Sequence, residues 1–263
     1  MTDVFSFSSG TSPLLISIPH DGRELMPGQG ERMTEEGRAI PDTDWFVREL
    51  YSFADEIGAG VIAANFSRYV VDLNRPADDA ALYEGQVSTG LCPLKTFSGD
   101  EIYLDGATVS LAEQRERVER YWRPYHDKIA STLSDLKAEH GVALLWDAHS
   151  IASQVPLLFP GVLTDLNVGT NDGQSCASPL ESAVMQAAEA ADYSSVLNGR
   201  FRGGFITRNY GDPQNSVHAI QLELSQRCYM DEKKLSYDPD PAVRVGETIK
   251  NMLVSFIEAT AGN

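Results

Sequence analysis

Five stretches of strand length are dominated by apolar residues: PLLISIP (13–19), GVIAAN (60–65), RYVVDL (68–73), VALLWD (142–147) and HAIQLEL (218–224). Their shortness and their content of Val, Ile and Leu predict strands rather than buried helices. Longer segments of helical period run between them. SLAEQRERVERYW opens with Ser110 at an N-cap position and Glu113 three residues on, the spacing of a capping box, and Pro124 is placed to kink the helix that follows. SPLESAVMQAAEAADY (178–193) begins at a Ser-Pro start signal, and PAVRVGETIKNMLVSFIEATAG (241–262) is amphipathic throughout. This alternation predicts an α/β fold, a mostly parallel or mixed central sheet flanked by helices. The stretch from Pro76 to Asp105, rich in Gly, Asp, Ser and Pro, is too long for a simple connection and predicts a lid, an active-site rim or a surface excursion.

No repeat, low-complexity tract or flexible linker interrupts the pattern, so the 263 residues predict one domain over 1–263. No run of about 20 apolar residues is available to span a membrane. The first residues, MTDVFSFSSGTSP, lack the basic flank and apolar core of a signal peptide, and the expectation is a cytoplasmic protein. Cys92, Cys176 and Cys228 are scattered singly, which suits buried small hydrophobes and neither a disulfide framework nor a cysteine zinc cluster. A net charge of -17 opposes nucleic acid and anionic membrane as partners. A small anionic substrate would need a local cluster of arginines to overcome that field.

In open α/β sheets functional groups collect at the carboxyl ends of strands. Several of the apolar runs end there in polar residues: His20 after ISIP, Asp72, Asn74 and Arg75 in VVDLNRP, Asp147 and His149 in LLWDAHS, and Glu223 in IQLELSQ. Imidazoles and carboxylates are the donor set of a metal-assisted hydrolase. Taken singly, each has an ordinary structural alternative. A lone His after a strand is often just hydrogen-bonded, and Asp42 or Asp44 in PDTDWFVRELY either caps the following helix or points into a site. Glu223 lies inside an apolar strand, where an unpaired charge is costly unless alternation puts it on a solvated face. His126 in RPYHDK is a ligand, a substrate contact or a packed helix residue, and His140 beside Gly141 reads as a cation at a helix C-terminus.

Seven ordered segments, PLLISIPHDG, DTDWFVRELY, SRYVVDLNRP, RPYHDK, LLWDAHS, NGRFRGGFITRNYG and QLELSQRCYMDE, together resemble the N-formylglutamate amidohydrolase family over nearly the whole chain. That family is related to zinc carboxypeptidases and aspartoacylases, so the resemblance implies a zinc carboxypeptidase-like α/β fold and a deformylase of histidine degradation. It implies Zn²⁺ bound by His20, His149 and a third ligand, Arg68 as the group polarising the scissile carbonyl, Asn74 and Arg75 on a substrate carboxylate, and Glu223 as general base. The chain departs from the wider group's His-x-x-Glu pattern, because His20 is followed by Asp21, Gly22 and Arg23. The nearest equivalent is the helix-opening DTDW, with Asp44 the first candidate and Asp42 the second. N-formylglutamate carries two carboxylates, and GRFRGGFITRNYG supplies Arg202 and Arg208 as candidates for the second. The implied reaction is N-formyl-L-glutamate plus water giving formate and L-glutamate. The alternatives are a deacylase of another N-acyl amino acid and a relative that binds metal or amino acid without catalysis, the last disfavoured by the presence of Glu223 beside the metal set.

Overall fold

The computed structural model describes residues 2–80 and 89–260. Its strands are β1 (Phe5–Ser8), β2 (Leu14–Ile18), β3 (Gly60–Ala64), β4 (Ala143–Ile151), β5 (Leu166–Gly169), β6 (Ser195–Leu197) and β7 (Val217–Ser225), with β8 (Met230–Asp231) and β9 (Ser236–Tyr237) as a separate hairpin. The helices are α1 (Glu35–Arg38), α2 (Val47–Leu50), α3 (Leu111–Arg117), α4 (Arg123–His140), α5 (Ser178–Glu189), α6 (Phe205–Tyr210) and α7 (Pro239–Glu258). Among the described residues no helix is long and apolar enough to cross a membrane.

The first seven strands form one mixed sheet in the order β1-β3-β2-β4-β7-β5-β6. Its centre is parallel: β3 with β2, β2 with β4, and β4 with β7. The antiparallel pairings are β1 with β3 and β5 with β7. Parallel strands must be covered on both faces, and period-two alternation divides the central strands accordingly. Leu14, Ile16 and Ile18 of β2, Leu144, Trp146 and Ala148 of β4, and Ile220, Leu222 and Leu224 of β7 join one core with α2, α5 and α7. Leu15, Leu145 and Ala219, of opposite parity, join a second core with Tyr125, Ile129, Leu133 and Leu136 of α4. The same odd-numbered face then continues into Asp147, His149, Gln221 and Glu223. Past the reach of α4 it turns from apolar to polar, and there the site begins.

Two expectations change. Residues 68–73 are not a strand: Val70 N donates to Ser67 O (2.8 Å) and Arg75 N to Asp72 O (3.2 Å), the bonds of turns, while Asp72 N reaches across to Leu91 O (2.7 Å) outside the sheet. Val70, Val71 and Leu73 are buried in the α4-side core, so their apolar character reflects burial without sheet pairing. Ser110 caps α3 by accepting from Glu113 N (3.2 Å), but the Glu113 carboxylate binds Arg32 and Arg117, so half of the capping box forms. Ahead of Pro124 the helix widens into a π-helical turn, Val118–Trp122, which accommodates the missing proline N–H. Of the long stretch 76–105, residues 81–88 lie outside the described residues.

Candidate metal centre and its cavity

Three parallel strands deliver the site. His20 follows β2 by two residues, His149 lies near the end of β4, and the β4–β7 register sets Glu223 directly beside His149. Asp44 comes from the segment before α2, and its backbone is tied to the site: Asp44 N donates to His20 O (3.1 Å). α2 starts only after Phe46, which takes a left-handed conformation (φ 62°) without a side-chain cap. Asp44 is thereby freed from capping, and its Oδ2 accepts from Ser150 N (3.1 Å). Asp42, the other candidate, is turned away to accept from Tyr69 OH (2.6 Å) and Phe97 N (2.9 Å).

His20, Asp44 and His149 are buried, and one donor atom from each lies within 4.8 Å of the others. His149 Nδ1 is 3.1 Å and His20 Nδ1 3.7 Å from Asp44 Oδ2. The far nitrogens of both rings face carboxylates: His20 Nε2 is 2.8 Å from Asp72 Oδ1, and His149 Nε2 is 3.1 Å from Asp147 Oδ2. A ring whose Nε2–H is donated to a carboxylate presents the Nδ1 lone pair inward, the usual support of a metal-ligating histidine. Burial by itself would lower the His149 imidazole, but Asp147 and Asp44 outweigh it and hold the group well above its ordinary range. Burial likewise opposes ionisation of Asp44, and the two histidines overcome it and hold its carboxyl below the usual range. Two imidazoles and a carboxylate whose charge is already demanded by neighbours form a donor set that fits a divalent cation.

Asp72 is the hub of the next layer. Its Oδ2 accepts from Arg68 Nη2 (2.7 Å), and its Oδ1 accepts from Asn74 N (2.9 Å) besides facing His20. Burial works against the Arg68 charge, while Asp72, Asp44 and Asp42 secure it. Burial dominates at Glu223, pushing its carboxyl up to about 8.

His20, Asp44, His149, Glu223, Arg68 and Arg75 open into one cavity of about 110 Å³, walled by Phe97, Ile151, Leu158 and Phe201. Arg200 also lines it, with Nε donated to Leu158 O (2.9 Å). The cations expected for a second carboxylate lie elsewhere. Arg202 is half-exposed and paired with Asp172 (3.2 Å), and Arg208 donates to Gly203 O (2.7 Å); neither lines this cavity. Asn74, expected on a carboxylate beside Arg75, has both amide ends committed. Its Oδ1 accepts from Ile206 N (2.8 Å), and its Nδ2 lies 2.9 Å from His149 Nε2 and donates to Asp147 Oδ2 (3.4 Å). Gly204 permits this, since a Cβ there would stand 2.3 Å from Asn74 Nδ2. His126 stacks on Trp122 (3.7 Å between centroids) and bonds Tyr210 OH and Leu73 O through its two nitrogens, outside the cavity.

The sequence model of the N-formylglutamate amidohydrolase family matches residues 12–230. This chain belongs to the N-formylglutamate amidohydrolase family. It is 50% identical over 98% of its length to a Pseudomonas aeruginosa protein named N-formylglutamate deformylase, of which it covers 97%, and 46% identical over the same share to one from Pseudomonas putida, of which it also covers 97%. Its fold is similar to a crystal structure of an N-formylglutamate amidohydrolase from Ralstonia eutropha JMP134, with a TM-score of 0.82 at 21% identity over 98% of this chain and 97% of that one. A gene product of Agrobacterium tumefaciens has a TM-score of 0.71 at 16% identity, covering 97% of this chain and 96% of that one. Within this amidohydrolase fold the triplet, Glu223 and the arginines share one cavity, while the larger surface depression near Asp165, Arg227 and Arg244 holds none of them.

Proposed function

We propose that this chain is a cytoplasmic, zinc-dependent enzyme that hydrolyses N-formyl-L-glutamate to formate and L-glutamate, the final step of a histidine-degradation route. The reading rests on one arrangement: a buried His-Asp-His triplet, a buried glutamate and three arginines facing a single small cavity. The full-length relatives named N-formylglutamate deformylase supply the substrate. Among the described residues the three cysteines are free, in keeping with a reducing compartment.

His20, Asp44 and His149 would hold the metal, with Asp72 and Asp147 fixing the two rings and Asn74 Nδ2 donating to Asp147. A cation bound there supplies Lewis acidity that makes water a competent nucleophile at neutral pH. Glu223 accepts the proton of the attacking water and returns it to the departing amide nitrogen; an affinity raised by burial suits a group that must do both. Arg68, held by Asp72, faces the carbonyl oxygen, where negative charge develops. Arg75 and Arg200 take the two carboxylates, since a protein of net charge -17 must rely on short-range bidentate contacts. Phe97, Ile151, Leu158 and Phe201 limit water around them.

The test is formate release from N-formylglutamate, measured before chelation, after it, and after Zn²⁺ is restored. Activity should vanish and return. Release that persists in chelated, metal-free protein would overturn the metal-dependent reading. Arg200→Ala is expected to raise KM for N-formylglutamate by about tenfold or more, the loss of one charge-assisted contact. Arg202→Ala, which removes an exposed ion pair, should change KM by less than about twofold. Equal effects of the two substitutions would remove Arg200 from the carboxylate site.

A further inference from the structure

Beside the metal-centre cavity lies a second one of about 320 Å³, and the two share Phe97, Ser150 and Ile151 as walls. Phe97 stands where the reaction would occur. Its ring lies against the Arg68 guanidinium, with Cζ 4.8 Å from the ring centroid, and Arg68 Nη1 is in turn 3.6 Å from Asp44 Oδ1. The loop that carries this ring is firmly tied. Phe97 N donates to Asp42 Oδ2 (2.9 Å), an atom that also accepts from Tyr69 OH. On the other side Thr96 N donates to Asp100 O (2.9 Å), while Ser98 N and Asp100 N donate to Thr96 Oγ1 (3.2 and 3.1 Å).

The two chambers differ in charge. Arg75 and Arg200 line the first, whereas Asp42, Glu232 and Lys233 line the second. Both carboxylates of an acylglutamate therefore belong with the arginines, and its neutral acyl group is the part left to face Phe97.

We propose that Phe97 is the acyl-size filter of this site, admitting the hydrogen of a formyl group and excluding the methyl of an acetyl group. The inference rests on the deformylase reading given above. Hydrolysis of any N-acylglutamate is the same in bookkeeping of atoms: the acyl C–N bond breaks, a C–O bond to the water oxygen forms, and the nitrogen gains the water's proton. Discrimination between acyl groups is then a matter of space. Removing the Phe97 ring joins the small cavity to the larger one behind it and gives a longer acyl group somewhere to lie.

The experiment uses zinc-loaded parent, Phe97→Ala and Phe97→Leu, and measures kcat/KM by glutamate release from N-formyl-, N-acetyl- and N-propionyl-L-glutamate. One misplaced methyl in a tight pocket is worth roughly 10–200-fold. The acetyl-to-formyl ratio should rise by at least about tenfold in Phe97→Ala, with Phe97→Leu between it and the parent. Should the alanine variant fail to fold, the leucine variant, which keeps most of the buried contact, carries the same comparison. A ratio that stays at the parent's value overturns the filter, including the case in which all three substrates slow alike because Phe97 merely supports Arg68. A parent that releases glutamate from none of the three overturns the functional reading and the filter with it, a pattern distinct from an unchanged ratio.

Discussion

Glu223→Gln is expected to give a folded protein with a normal zinc content, a KM close to the parent's, and a kcat for formate release lower by at least about a hundredfold, the lower end of the cost of losing a general base. The amide keeps the shape of the carboxylate but cannot accept a proton. Fold and metal should survive because Glu223 is not one of the three converging donors, and neutralising a buried carboxylate whose proton affinity burial has already raised to about 8 removes a cost of burying charge. Circular dichroism, metal analysis and steady-state kinetics on one preparation check this. Activity near the parent's would return Glu223 to a structural role. Loss of zinc would make it a ligand.

His149→Ala should show the opposite split, with zinc content and formate release falling together to near background. The substitution removes one of three protein donors and leaves Asp44 and Asp147, both buried, without the imidazole between them. Asp147→Asn keeps the donor and weakens only its support, so zinc affinity should fall by about 10–100-fold while saturating zinc restores most activity. Metal titration followed by assay separates the two variants. Full zinc occupancy in His149→Ala at stoichiometric metal would exclude His149 as a ligand.

The central strands were legible from sequence because β2, β4 and β7 carry apolar runs that end in polar residues, and such an ending is also what marks His20, His149 and Glu223. The parity that sends Glu223 to the cavity was not decidable from one strand. It is fixed only by α4 covering the odd-numbered face up to Leu145 and Ala219. Asp44 could not be separated from Asp42 by spacing, since the choice depends on Tyr69 OH and Phe97 N drawing Asp42 away. Nothing in the sequence separates Arg200 from the other arginines of GRFRGGFITR, because β6 ends at Leu197 and beyond it no period says which side chain turns inward. Residues 68–73 looked like a strand because core burial selects the same side chains as sheet pairing. The short strands β1, β5 and β6 offered too few residues for alternation to register.

Strand β7 lies between β4 and β5 in space but follows both in the chain. During synthesis the fully buried, nine-residue β4 therefore has an open edge until Val217–Ser225 emerges, and β5 with β6 has no sheet to join. All three converging donors, His20, Asp44 and His149, precede that point, so a nascent chain contains them before Glu223. Completion of the proposed site coincides with closure of the sheet, a pairing between distant parts of the chain that is slow to form and leaves an aggregation-prone edge until it does.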